Sequence, residues 1–182
     1  MSVTLVFEEN SILPAENIYC EEIRKLQLKN ERIMEISRLV IAPNFRNTKE
    51  ILVLLFNYLY IYLYLFKKYT SLVIEINRRH IAFYQTLLNF KEISIEKPCP
   101  NVQNAPAILM HLHLGRRHKE IIRLSTPSNI ENRTRSLYPY FLKPEYERIV
   151  AYCIEKQAPP LSIEEKQYFG FTESGSCRYL CI

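Results

Sequence analysis

The chain has 182 residues, 48% of them apolar, with 24 Lys and Arg against 19 Asp and Glu for a formal charge of +5. That composition describes one globular domain with a substantial core and excludes a disordered or collagen-like chain. Glycine occurs only at Gly115, Gly170 and Gly175, where average usage of about 7% gives roughly a dozen. Residues 1–114 hold none, which excludes over that stretch a Walker or Rossmann phosphate loop, since both need glycine where backbone approaches phosphate. The mild basic excess suits an acidic partner without choosing among nucleic acid, membrane surface, carrier protein and phosphorylated cofactor. The five cysteines show no paired C-x-x-C spacing and read as reduced thiols of a cytosolic protein. The N-terminus MSVTLVFEEN has no basic segment followed by an apolar one, so no secretory signal is expected.

In chain order, residues 3–7 (VTLVF) predict a short strand, and Pro14 opens a polar helix running to about Lys29. The segment 33–42 (IMEISRLVIA), stopped by Pro43, reads as a buried strand. Residues 51–66 (ILVLLFNYLYIYLYLF) are ambiguous: tyrosines at 58, 60, 62 and 64 follow a strand period, but the run is too long for a usual strand and Thr48 offers a helix start. A buried helix over about 48–68 is the reading adopted. A membrane span is the rival, and the run falls short of the roughly 18 apolar residues that such a span needs. A strand follows at 71–76, then a helix at 79–88 closed by Asn89 as a left-handed cap, and strands at 90–95 and 107–114 around a proline-rich loop at 98–106. The alternation predicts an α/β sheet with a crossover unit. Residues 116–170 read as polar and mainly helical, with helices opening at Pro144 and Ser162, and 171–182 show no usable pattern.

Several groups of residues bear chemistry. Glu35 lies in a predicted buried strand, where a carboxylate is costly unless paired or functional. Glu35 and Arg38 would point to opposite faces of a regular strand, and a β-bulge between them would re-aim one; a structural ion pair is the plain alternative. The segment Val40 to Lys49 joins a strand to a helix N-terminus, a general anion site to which Arg46 and Lys49 add charge; a solvated basic turn accounts for it equally. Tyr84 is a candidate general acid among 13 tyrosines. His111 and His113 share a strand face, but no further ligands stand at a zinc spacing, so no metal is expected. No G-x-S-x-G elbow occurs.

Taken together, the strand, Val40-Ile-Ala-Pro43-x-x-Arg46, the helix, the next strand and the helix with Phe83-Tyr84 and Phe90 resemble the acyl-donor half of a GNAT-type N-acyltransferase. More specifically, the chain is similar to bacterial long-chain N-acyl amino acid synthases, relatives of the acyl-homoserine lactone autoinducer synthases. Leu13-Pro14-Ala15-Glu16, Glu35-Ile36-Ser37-Arg38-Leu39, Arg79-His80, Pro106-Ala107 and residues 137–142 (LYPYFL) carry the likeness, over roughly residues 3–170.

The resemblance implies an α/β fold: a GNAT-like mixed sheet flanked by helices over residues 1–115, N-terminally shortened, with a helical C-terminal extension of the same domain over 116–170 and a flexible tail at 171–182. It implies transfer of a long-chain acyl group from a phosphopantetheine thioester to the amine of an amino acid or similar small acceptor. In that reading Glu35 is the base for the amine, Arg38 its companion in the catalytic strand, and Tyr84 the acid that protonates the leaving thiolate. Arg46, Asn47, Thr48 and Lys49 stand where the family's turn holds the pyrophosphate of coenzyme A. The family's glycines are missing there, which favours acyl carrier protein over coenzyme A as donor, with no tightly bound cofactor. The expected partners are the carrier protein, met by Arg46, Lys49 and the basic cluster 116–119, and the amine acceptor. Nucleic acid and a transmembrane span are not expected, peripheral membrane contact remains open, and the location is cytoplasmic. The alternative is a non-catalytic, truncated GNAT-like binding module without a complete acceptor site.

Overall fold

In the computed structural model, which describes residues 2–9, 11–40, 49–124, 135–157 and 179–181, period-two alternation builds the sheet. β1 (Ser2–Phe7) sends Val3, Leu5 and Phe7 to one apolar layer and Val6 to the other. β2 (Ile33–Val40) likewise divides Met34 and Ile36 from Ile33. β2 pairs in parallel with β3 (Ser71–Asn77), so the chain between them must cross over the sheet, and it does so through α2 (Lys49–Tyr60). β4 (Lys91–Glu92), β5 (Lys97–Cys99) and β6 (Ala105–His113) complete one side, all antiparallel, and β7 (Tyr179–Cys181) pairs with β1 on the other. The spatial order is β4-β6-β3-β2-β1-β7, with β5 also on β6.

One face is covered by α1 (Glu16–Gln27), whose Tyr19, Ile23 and Leu26 recur at three- and four-residue spacing and pack with Val6, Ile33, Val73 and Leu109. Full burial of a side chain such as Ile23 contributes about 1.5–3 kcal/mol. Ile23→Asp would lose that and bury an unpaired charge, releasing α1 from the sheet. The other face carries the larger core. There Met34, Ile36, Leu72, Ile74, Ile108 and Met110 meet α2 and residues of α3 (Ile81–Leu88), α4 (Leu114–Leu124) and α5 (Pro144–Gln157).

The ambiguous tyrosine run is a helix. It continues beyond α2 as a π-helical turn over Ile61–Phe66. The tyrosines that follow a strand period are two i,i+4 stacks, Tyr58 on Tyr62 and Tyr60 on Tyr64. Lys49–Phe66 is long and apolar enough to cross a membrane by length and composition. Its apolarity has a place in the fold, because Leu52, Leu55, Phe56, Leu59, Ile61 and Leu63 lie in the core.

Other boundaries differ from expectation. The strand expected at 90–95 shrinks to Lys91–Glu92, and the proline-rich loop at 98–106 instead supplies β5 and the start of β6. Pro98 lies opposite Pro106 on an edge strand, a place where the missing N–H is tolerated. Asn89 does close α3 in the left-handed conformation, with φ 58°. The helix expected at Ser162 lies outside the described residues.

Candidate functional site: a fork between two parallel strands

β2 and β3 pair from Ile33–Ser71 to Ile36–Ile74 and then part, although β2 continues to Val40 and β3 to Asn77. The cause lies on the other side of β2. Against β1, Leu5 faces Ile36 and Thr4 faces Arg38, so Ser37 is an extra residue, a β-bulge. A bulge bends its strand and increases its twist, which swings the end of β2 away from β3. The fork encloses a cavity of about 570 Å³ whose lining includes Ser37, Val40, Glu75, His80 and Tyr84. The backbone groups that β2 and β3 turn toward each other beyond Ile36 and Ile74 have no partner in that pairing.

The bulge has a second effect. Glu35 pairs with Val6, on the α1 face, and the extra residue brings Arg38, opposite Thr4, to that same face. The sequence expectation of a bulge between Glu35 and Arg38 is met. The two do not form an ion pair: Arg38 is exposed and has no hydrogen bond or salt bridge among the described residues.

Glu35 is 2% exposed, and its Oε2 accepts a hydrogen bond from the Ala15 N–H at 2.9 Å. Burial pushes its pKa up to about 7; the Ala15 N–H works against the rise, and the charges of Glu75 and Glu16 add to it. Glu35 does not line the cavity. Glu75 does. It is the first β3 residue past the last pair with β2, on the face of Val73 and Glu35 by alternation. The Cys99 thiol beside it is pushed up, first by burial and then by its hydrogen bond with Glu75.

Tyr84 enters the cavity from the opposite face. It is partly buried in the larger core, edge-on to Phe83 at 5.0 Å and to Phe90 at 5.7 Å between ring centroids. Burial raises its pKa, so the phenol is protonated at neutral pH. Its hydroxyl makes no hydrogen bond among the described residues. The lining of the fork therefore includes an acidic residue from the α1 face, Glu75, and a phenol from the other, Tyr84.

The remaining predicted residues stand elsewhere. Arg46, Asn47 and Thr48 lie outside the described residues. Lys49 starts α2, with Nζ 3.6 Å above the centre of the Tyr140 ring. Beside it an apolar hollow of about 400 Å³ runs along α2, lined by Val53, Leu54, Tyr58, Ile61, Leu142 and others. His111 is engaged in the structure, with Nε2 2.8 Å from the Ser71 Oγ and 3.4 Å from Glu31. Among the described residues no group of three or more His, Cys, Asp or Glu is placed to hold a metal. The 116–119 cluster follows the end of β6 that pairs with Ser71, the opposite end of β3 from the fork. The basic residues beside the fork are instead Arg78 and Arg79, in the turn after β3.

Sequence reasoning missed Glu75. The signal was present: an acid in the apolar strand 71–76 (SLVIEI), one position beyond the point where a strand bent at Ser37 can still pair.

A family model described as N-acyl amino acid synthase FeeM matches residues 1–113. No curated protein matches. Among solved structures, "The structure of FeeM, an N-acyl amino acid synthase from uncultured soil microbes" shares this fold, with a TM-score of 0.54 and 24% identity, covering 61% of each chain. The present chain thus spans about three fifths of the length of that relative, and the shared architecture is the GNAT-like mixed sheet described above. Matched over 113 of its 182 residues, the chain belongs to the FeeM family of N-acyl amino acid synthases.

Proposed function

We propose that this protein transfers a long-chain acyl group from a phosphopantetheine thioester, presented by acyl carrier protein, to the amine of an amino acid. The observation that carries the reading is the fork, lined by Glu75 from one face and Tyr84 from the other. The amine nitrogen attacks the thioester carbonyl carbon and the C–N bond forms. The tetrahedral oxyanion is held by strand N–H groups released where β2 leaves β3. The C–S bond then breaks, the thiolate takes the Tyr84 proton, and the proton lost by the amine passes to a carboxylate.

Glu75 is that carboxylate in the geometry, because it borders the cavity, while Glu35 lies behind it, buried and bound to Ala15. Glu35, expected to take the amine proton directly or through a water, is then placed to act through a water or through Glu75. Arg38, exposed on the same face, is placed to meet the acceptor's carboxylate. An ammonium against Glu75 and a carboxylate against Arg38 select an α-amino acid over a simple amine. The hollow along α2 supports an apolar, long-chain donor. Arg78 and Arg79 beside the fork support an acidic carrier. Much of the acceleration comes from holding the two substrates in line.

The test incubates the purified protein with carrier protein charged with a long acyl chain and a pool of amino acids, and reads N-acyl products by mass spectrometry. An N-acyl amino acid is expected. No product from a folded protein, with charged carrier still bound, sinks the enzymatic reading and leaves a binding module.

A further inference from the structure

At the other end of the sheet from the fork, where β2 and β3 are still paired, a second polar cavity of about 190 Å³ lies between α1, β4, β6 and α4. Its lining includes Lys29, Glu31, Lys91, His113, Arg116 and Arg117, four permanent cations against one carboxylate. That carboxylate is already engaged, since Ser71 donates its hydroxyl proton to Glu31. Among the described residues Lys29, Lys91 and Arg116 form no salt bridge.

Arg117 is the strongest indication. It is only 9% exposed, it lines the cavity, and its buried Nε has no hydrogen-bond partner among the described residues. The rest of the guanidinium is fixed by an ion pair with Glu120, by Asn89, whose carboxamide oxygen when turned toward it accepts from Nη1 at 2.8 Å, and by the Tyr138 ring at 5.7 Å. A guanidinium fixed in the wall, with three cations around the same hollow that form no salt bridge among the described residues, is organised for an anion rather than for solvent. The same convergence shows at His111, whose pKa falls to about 4, first through burial and then through His113, Lys29, Arg116 and Lys91.

We infer that this cavity is a binding site for a small phosphate-class oxyanion, separate from the fork. The size sets the class. A hollow of 190 Å³ is below the roughly 300–1,000 Å³ of pockets that enclose a drug-sized ligand, so it suits a phosphate group on a small substituent and not a nucleotide. Along β3 the fork begins at Glu75, four residue steps from Ser71 at this end of the sheet, roughly 13 Å, so the two cavities are separate and the anion has no part in the acyl-transfer chemistry. The inference stands whether or not the protein transfers acyl groups.

Calorimetric titration of the whole protein with inorganic phosphate, at ionic strength matched with chloride, tests it. Saturable binding is expected, weakened about tenfold or more in the K91A/R116A double variant, where two charge-assisted contacts are lost. It should be unchanged in Lys25→Ala, which removes an exposed cation on α1. In the unmodified protein, phosphate should move the His113 imidazole NMR signals and leave those of His80, in the fork, in place. Equal binding of sulfate would assign the site to tetrahedral oxyanions in general and support the inference. No saturable heat above chloride, or equal binding by the double variant with His113 signals unmoved, would overturn it.

Discussion

The two faces of the sheet differ most where β2 and β3 part. Toward α1 stand Glu35 and Glu75, beside a small core of nine buried residues, and the exposed Arg38; toward α2 and α3 stands a much larger apolar core from which Tyr84 presents a hydroxyl without a partner among the described residues. The sheet acts as a partition with one gap. Under the proposed function, an amino acid, carrying two charges, would find opposite charges on the first face, and a long acyl chain would find apolar surface on the second. Neither substrate would then be desolvated against the wrong lining, and the two would meet in the gap, where a thioester carbonyl and an amine have to be brought within reach of each other.

The sharpest way to break this arrangement is to delete Ser37. Without the extra residue, Arg38 stays opposite Thr4 and Leu39 opposite Val3, each on its present face, but β2 runs on as a regular, unbent strand. The strands would pair further along and close the gap. Turnover should fall to background while circular dichroism still reports a folded α/β protein of lowered stability. Retained turnover would mean that the bulge does not build the site.

The next effect is expected at the carboxylates. Glu75→Gln should lower kcat/KM for the amino acid by about 10²- to 10⁴-fold, the range for losing a positioned acid–base group, and leave carrier binding unchanged. Glu35→Gln should do less, because its carboxyl reaches the cavity only through a neighbour. The reverse order of effects would return the direct base role to Glu35. On the other face, Tyr84→Phe removes only a proton donor for a thiolate that already leaves as a weak base, with a thiol pKa near 8.5. A loss of about tenfold to a hundredfold in kcat, with little change in KM, is the expected result of steady-state kinetics.

What the sequence made legible follows from which forces are local. The left-handed cap at Asn89, the crossover between β2 and β3 and the burial of Glu35 are written in turn chemistry and apolar patterning. The bulge at Ser37 was legible only as a requirement, since two charged residues three apart cannot share a face of a regular strand. Glu75 was not legible as a site residue, because its importance depends on where its neighbour strand stops pairing, a non-local fact. The end of the sheet at which the 116–119 cations stand was not legible for the same reason: closeness in composition does not say which end of β6 a helix follows. The tyrosine run was ambiguous in its period, since i,i+4 stacks on alternating positions imitate a strand, and its length pointed to the helix that forms.

The smallest expected effect concerns stability and isolates Glu35 from catalysis. An unfolded glutamate titrates near 4.3, whereas in the fold burial raises Glu35 to about 7. Between those values the folded state keeps a proton that the unfolded chain has lost, so stability falls as pH rises through the window and is lowest above it. The full difference is of the order of 3 kcal/mol. Glu147 on α5, 3% exposed and also raised to about 7 by burial, acts in the same direction. His111, lowered to about 4, acts in the opposite one, its contribution rising with pH up to about 6.5. Between pH 6.5 and pH 8 urea unfolding spans the main titration of the two folded-state carboxyls, while His111 and His118, both lowered by burial, add only the smaller, opposite remainder of their windows. The unmodified protein should be less stable at pH 8. Glu35→Gln keeps an oxygen for the Ala15 N–H and should remove part of that drop, and Glu147→Gln a further part. If Glu35→Gln leaves the drop intact and Glu147→Gln abolishes it, Glu35 is ionised in the folded protein at neutral pH and holds a negative charge, not a proton, behind the fork.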